Sequence, residues 1–360
     1  MRVTFLLPSF EFSVGNRVAA NYAKELAAKG HTVTMVGAVP WKPPLLKRLR
    51  SWLATRTDGV LRPYEYGYDF GDLAQVTIPA GAELDESMVP DADVVIATWW
   101  ATAESCARFG PRKGRKVYFI QHHEVFPWLP RERVEATYRQ PWRKIIAASW
   151  IFDAVRERYG DSDTHLLLNS VDTRHFFARP RGKQRTPTVG MLRENIEIKG
   201  EDVLLAAIEI ARRQVPELQV IAFGPERPSR RHPMPDGTTF IHCPTVDEVR
   251  GIYAQCDAWL FASRAGTEGF GMPVLEAMAC RTPVIGVPTG AASELLADGA
   301  GFLVPHDDPA AMAEAIVRVA RMEQSEWQAV SEKAWQRAQE HRLKDAAEKF
   351  EKLLRLDVGV

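Results

Sequence analysis

The sequence predicts an α/β protein of two doubly wound parallel-sheet domains facing each other across a cleft. Three observations point there. Short apolar runs of strand length alternate with stretches whose apolar residues recur at helical spacing. The rhythm stops once, in a basic stretch with Pro and Gly at residues 179–187, and then restarts. The chain has 360 residues, more than one hydrophobic core usually organises.

In order along the chain, "RVTFLL" is an apolar run suited to a buried parallel strand. A helix is predicted from about Asn16 to Lys29, where Val18, Tyr22 and Leu26 recur with Ala19 and Ala23 beside them, and Gly30 ends it. "HTVTMVG", "DVVIATW", "KVYFIQ", "KIIAAS" and "HLLL" are the following strand candidates. After the linker, "TPTVGML" is a strand. A helix over Glu201 to Arg213 carries Leu204, Ala207, Ile208 and Ala211 on one face. "LQVIAFG", "DAWLFAS" and "TPVIG" continue the second sheet, and a charged helical tail begins near Ser325. The expected division is a first domain at 1–178, a linker at 179–187, a second domain at 188–325, and helices at 326–360 that cap the second domain or cross back to the first.

Bulk composition narrows the function. Lys+Arg and Asp+Glu are both 46, which gives no support for a general nucleic-acid binder. Cys106, Cys243, Cys256 and Cys280 form no C-x-x-C pair or zinc-ligand spacing and are expected as buried, reduced thiols. "MRVTFLLPSF" is too short an apolar run for a signal peptide, and no run approaches a membrane span of about 20 residues. A cytoplasmic setting is therefore expected.

Chemistry concentrates in "RAGTEGFGMPVLEAMACRTPVIG". A loop follows the strand "DAWLFAS", and a helix begins near Met272 or Pro273, proline being suited to a first helical turn. Gly269 and Gly271 expose backbone N–H groups, which together with a helix N-terminus favour a phosphate. Glu268 precedes the helix and Glu276 lies one turn inside it. Carboxylates flanking an anion pocket suit a ligand with hydroxyls on both sides of a diphosphate, the layout of a nucleotide-sugar. Acids complementing a helix dipole are the plainer alternative.

This segment resembles the E-x7-E motif of retaining glycosyltransferases of family 4, which have the two-domain GT-B fold. The resemblance implies a hexosyltransferase, of the kind active in polysaccharide biosynthesis, that moves a sugar with retention from a nucleotide-diphosphate sugar to a hydroxyl of a glycan, lipid-linked or small-molecule acceptor. It implies Glu268 beside the donor sugar, Glu276 on the ribose hydroxyls, and the backbone of Gly269, Phe270, Gly271 and Met272 near the diphosphate. "TVGMLRENIEIKGEDVLLAA" resembles the strand-loop-helix that carries a lysine and an arginine for the diphosphate. Lys199 fits the lysine and Arg193 is the candidate for the arginine. Such cations meet charge that builds on the leaving group.

Elsewhere, "VGNRVAANYAKELAAKGHTVTMVG" resembles the first-domain loop and helix. Gly15 is the candidate for close approach to the donor phosphate, and Arg17 for a phosphate or the acceptor side. In "YFIQHHEVF", Gln121, His122 and His123 compete for the position of a histidine near the donor sugar. His122 is favoured, with His123 and Glu124 on the acceptor side. "LLNSVDTRHF" resembles an Asn-Gly-Val-Asp run with Ser170 in place of Gly, where Asn169 and Asp172 shape a turn. No Asp-x-Asp metal motif stands in a fitting loop, so no metal and no other cofactor is expected, only the nucleotide-sugar as co-substrate.

Three other readings stay open. An epimerase or phosphorylase would share the fold. A sugar-binding protein without catalysis would need the same pocket. A nicotinamide enzyme would need G-x-G-x-x-G after the first strand, which is missing. Finally, "WKPPLLKRLRSWL", Trp41 to Leu53, gathers Leu45, Leu46, Leu49, Trp52 and Leu53 in one helical arc with Lys47, Arg48 and Arg50 outside it. That suits either a helix on its own domain or a peripheral helix at the inner membrane face.

Overall fold

The computed structural model describes residues 1–39, 70–160, 163–194, 196–229 and 233–355. The stretch Trp41–Leu53 lies outside them. Two all-parallel sheets form the chain. The first contains β1 (Arg2–Leu6), β2 (Thr32–Ala38), β3 (Ala74–Ile78), β4 (Val94–Ala97), β5 (Arg115–Ile120), β6 (Arg143–Ile146) and β7 (Thr164–Leu166). Its order is β3-β2-β1-β4-β5-β6-β7. The second contains β8 (Thr188–Leu192), β9 (Gln219–Gly224), β10 (Thr238–His242), β11 (Ala258–Phe261), β12 (Val284–Gly286) and β13 (Phe302–Leu303), in the order β10-β9-β8-β11-β12-β13.

Helices cover both. They are α1 (Val14–Ala28), α2 (Trp100–Ala107), α3 (Arg131–Tyr138), α4 (Ser149–Tyr159), α5 (Glu201–Arg212), α6 (Val246–Ala254), α7 (Met272–Ala279), α8 (Ala292–Leu295), α9 (Pro309–Arg321), α10 (Gln324–Gln339) and α11 (Leu343–Arg355). Among the described residues no helix is long and apolar enough to cross a membrane.

The central strands β1, β4 and β5 are buried on both faces because helices lie on each side, which is why they read as unbroken apolar runs. α1 starts where the side chain of Ser13 accepts from the Asn16 N–H at 3.0 Å. It buries Val18, Ala19, Tyr22, Ala23 and Leu26. Its start takes in Gly15, which therefore sits in the first helical turn rather than in a preceding loop. In each sheet the strand order reverses beside the first strand, between β1 and β4 and between β8 and β11. Loops diverge at such switch points and leave a crevice at the carboxyl ends of the strands.

The basic stretch 179–187 is laid against the second sheet. Arg181 donates to the Cys256 carbonyl and to Thr282 Oγ1, and its guanidinium lies 4.7 Å from the Trp327 ring centre. α10 stays with the second sheet, where Trp327 Nε1 donates to the Asp257 carbonyl at 2.9 Å. The chain then returns. α11 inserts Phe350 among Tyr22, Phe119 and Phe5, with ring centres at 4.7, 5.3 and 6.3 Å. Glu351 pairs with Lys29 at 2.9 Å and His31 at 3.0 Å. All four cysteines are free and buried.

Candidate active site

Loops from both switch points enclose a cavity of about 410 Å³. Gly15, Gln121 and His122 line it from the first domain, and Lys199, Glu268 and the start of α7 from the second. Lys199 closes a single 3-10 turn after β8, and the loop after β11 carries Glu268 to meet it. Lys199 Nζ donates to Glu268 Oε1 at 2.5 Å, and Ser263 Oγ donates to the same oxygen at 2.8 Å. Burial works against the Lys199 charge. Glu268 and Glu194 outweigh it and hold the lysine above its ordinary pKa. Glu194, also on the cavity wall, is pushed up by its burial against the opposing pull of Lys199.

α7 begins at Gly271, whose φ of +92° only glycine adopts readily. Among the described residues, the N–H groups of Gly269, Phe270, Gly271 and Met272 donate to no protein acceptor. Four donors at the positive end of a helix dipole form an anion-binding surface. The first domain closes over it. A Cβ on Gly269 would lie 2.2 Å from the Gln121 carbonyl oxygen, and the Gly269 carbonyl accepts from Trp150 Nε1 at 2.7 Å.

His122 stands at this junction. Its Nε2 is 3.2 Å from the Thr267 carbonyl and its Nδ1 is 3.1 Å from the His123 carbonyl. A neutral ring donates to only one of them. Gln121 Nε2 donates to the Gly15 carbonyl at 3.1 Å.

Four candidates sit differently from the sequence expectation. Glu276 does not line the cavity. Its Oε1 is ion-paired with Arg17 of α1, and its Oε2 accepts from the Tyr253 hydroxyl at 3.1 Å. Burial raises its pKa more than those two partners lower it. Arg17 is correspondingly committed to the other domain's carboxylate. Arg193 is 1% exposed and turned away from the cavity, paired with Glu201 and donating from Nε to the Glu226 carbonyl at 3.1 Å. An arginine after a buried strand can anchor its own loop as readily as it can face a ligand, and sequence does not separate the two. His123 packs between Tyr138 and Tyr159, with Nε2 3.0 Å from the Tyr159 hydroxyl. Burial and Arg158 lower its pKa to about 4.

Glu124 borders the cavity but is 1% exposed. Its Oε2 accepts from the Trp100 N–H at 2.7 Å, at the start of α2, and from the Tyr118 hydroxyl at 3.2 Å. Its pKa is pushed up to about 8 by burial, against those two hydrogen bonds.

Sequence reading passed over Ser263, Glu194, Trp150 and the full part of Asn169. Ser263 and Glu194 stand directly after central strands, a signal that was legible. Asn169 lines the cavity, and its buried Oδ1 has no hydrogen-bond partner among the described residues. Among the described residues no group of three or more His, Cys, Asp or Glu side chains is placed to hold a metal ion.

Comparison with known proteins follows the same division. Residues 184–322 match the family model described as Glycosyl transferases group 1. A GDP-mannose-dependent alpha-(1-6)-phosphatidylinositol monomannoside mannosyltransferase of Mycolicibacterium smegmatis is 25% identical over 61% of this chain and 65% of its own length. A D-inositol 3-phosphate glycosyltransferase of Salinispora tropica is 31% identical over 34% of this chain and 28% of its own. The chain thus spans 65% or less of these relatives. Among solved structures, sucrose-phosphate synthase from Thermosynechococcus elongatus superposes with a TM-score of 0.74 at 17% identity, covering 99% of this chain and 98% of that one. Anabaena Alr3699/HepE, solved with UDP and glucose, gives 0.72 at 15% identity, covering 98% and 99%. These likenesses show the fold: two Rossmann-like domains in the GT-B architecture.

Proposed function

We propose that the protein is a retaining glycosyltransferase of family 4. It moves a sugar from a nucleotide-diphosphate donor to a hydroxyl of a glycan, lipid-linked or small-molecule acceptor on the cytoplasmic side. One observation carries the reading. A half-buried lysine–carboxylate pair, Lys199 and Glu268, stands beside four undonated N–H groups at the start of α7. The diphosphate seats on those N–H groups with Lys199 alongside. As the glycosidic bond breaks, negative charge grows on the leaving phosphate, and these donors stabilise it without rearranging. In this reading no metal is required.

Glu268 turns its second oxygen to the hydroxyls of the donor sugar, and His122 faces the sugar from the first domain. Asn169 Oδ1 accepts from a ligand hydroxyl. Glu276 takes the ribose hydroxyls only once Arg17 gives way, which ties donor entry to a change at the domain interface. The group 1 match over residues 184–322 and the mannosyl and glycosyl transfer in the relatives' names support the same chemistry.

The test is release of nucleoside diphosphate from a panel of nucleotide-sugars, with thermal shift read in parallel. A ligand that binds only the folded chain raises its stability by RT ln(1 + [L]/Kd). One donor should stabilise the protein and be turned over. A panel with neither shift nor release would sink the proposal.

A further inference from the structure

The loop between β5 and α3 carries an aromatic series that the donor site does not use. Trp128 is 69% exposed, the most exposed large apolar side chain among the described residues. It is not loosely held. Its indole stacks on Phe126 with ring centres 4.8 Å apart and planes within 4°. Phe126 in turn lies 4.8 Å from the ring of His122, which borders the donor cavity.

The backbone fixes this display. Leu129 N–H donates to the Phe126 carbonyl at 3.0 Å, closing a turn with Pro127 and Trp128 in the middle. Pro127 sets the turn's first φ and Pro130 restricts the residue before it. One face of the indole is thus covered by Phe126, and the other is open and held in place before any ligand arrives.

What sets Trp128 apart from an ordinary exposed apolar side chain is that its ring is held flat against Phe126 in a series leading to the cavity. What fits its open face is the apolar side of a pyranose. There, axial C–H bonds present a weakly positive surface to the negative face of the ring. The series starts at His122 on the first-domain side of the cavity, the side where the acceptor candidates His123 and Glu124 stand, so its occupant approaches from the acceptor side.

Taking the chain to be a glycosyltransferase as proposed, we infer that the open face of Trp128 is a stacking subsite for a sugar ring of the acceptor. The ring lies one or two units away from the hydroxyl that reacts. Trp128 is reached from His122 only through two successive ring contacts of 4.8 Å, so a sugar on its open face is not the sugar seated beside His122. The acceptor is therefore an oligosaccharide or a glycan-bearing molecule rather than a lone small polyol.

The experiment uses the whole chain with bound nucleoside diphosphate, and titrates α-linked mannose and glucose oligomers of one, two and three units by calorimetry. Wild-type affinity should rise with length in one series. Trp128→Ala should lose at least about fivefold for the trimer while binding the single sugar unchanged, the scale of one aromatic contact. Trp128→Phe should keep part of the gain. Nucleoside diphosphate affinity should be the same in all three proteins. Equal affinities of wild type and Trp128→Ala at every length would overturn the inference, as would a wild type indifferent to length. So would loss of flotation on anionic vesicles as the only effect of Trp128→Ala, which would mark a membrane contact. Failure of the nucleotide titration in wild type would instead strike the glycosyl-transfer reading, so the two fail separately.

Discussion

Arg17, in the first turns of α1, is ion-paired across the domain boundary with Glu276, one turn inside α7. The side chains are 12% and 4% exposed, so neither charge has much water to fall back on. Breaking a buried pair by removing one partner typically costs about 3–5 kcal/mol, because the other charge is left uncompensated. Arg17→Gln should lower thermal stability on that scale, and the Arg17→Gln/Glu276→Gln double variant should lose less than the two single variants added together. A double-mutant cycle from denaturant unfolding checks it. Strictly additive losses would mean that the pair does not form in solution.

Gly269 is a point of close approach between the domains. A methyl group there would meet the Gln121 carbonyl oxygen at 2.2 Å, and backbone cannot swing aside as a side-chain tip can. Gly269→Ala should hold the cleft partly open. Turnover is expected to fall by about two orders of magnitude, since reacting groups would be displaced by an ångström or more. Nucleoside diphosphate binding, carried by the second domain, should survive. The split between kcat and Kd is the readout. A variant with normal turnover would show that closure to this extent is not required.

The Lys199–Glu268 pair makes a sharper kinetic prediction. If the lysine acts mainly on charge that appears as the leaving group departs, Lys199→Ala should cost about 10²–10³ in kcat, the usual loss of one preorganised donor. KM for the donor should change much less. Lys199→Arg keeps the charge but not the compact geometry beside Glu268 and should recover only part of the rate. Steady-state kinetics on the turned-over donor decide it, and a pure KM effect would reassign Lys199 to ground-state binding.

Most of the architecture was legible because central strands of a parallel sheet are apolar on both faces. β1, β2, β4, β5, β6, β8, β9, β11 and β12 all stand out in the sequence for that reason, and the edge strand β7 is legible from the apolar run "HLLL". β3, β10 and β13 do not. They are sheet edges, their residues are largely half-exposed or exposed, and β13 is two residues long. In the site, the glycines and acids around α7 announce themselves because few other needs put those residue types together.

Orientation was harder to foresee. Arg193 and Lys199 come from one loop, yet one is fastened to Glu201 beneath it and the other faces the cavity. His122 and His123 are adjacent and face opposite surroundings, the loop after β11 for one and Tyr159 for the other. Such outcomes depend on which partner the opposite chain segment offers, and local pattern carries no information about that.

Glu124 gives the fold a distinctive pH dependence. Its carboxyl sits at the start of α2, accepting from the Trp100 N–H and the Tyr118 hydroxyl, while its backbone N–H donates to the Tyr138 hydroxyl, and none of these partners is a cation. Burial therefore wins, and its pKa moves from 4.5 to about 8. The folded chain keeps a proton that the unfolded chain has released, so stability is fully present below pH 4.5 and is lost as the pH rises toward about 8. The slope can reach about 1.4 kcal/mol per pH unit inside that window. His123 titrates in the opposite sense, between about 4 folded and 6.5 unfolded, but it is common to wild type and Glu124→Gln, so their difference cancels it. Urea unfolding of both proteins at about pH 5 and about pH 8 should show wild type losing markedly more stability than Glu124→Gln over that interval. Parallel losses would mean that Glu124 is ionised in the fold, and that water or a cation reaches it.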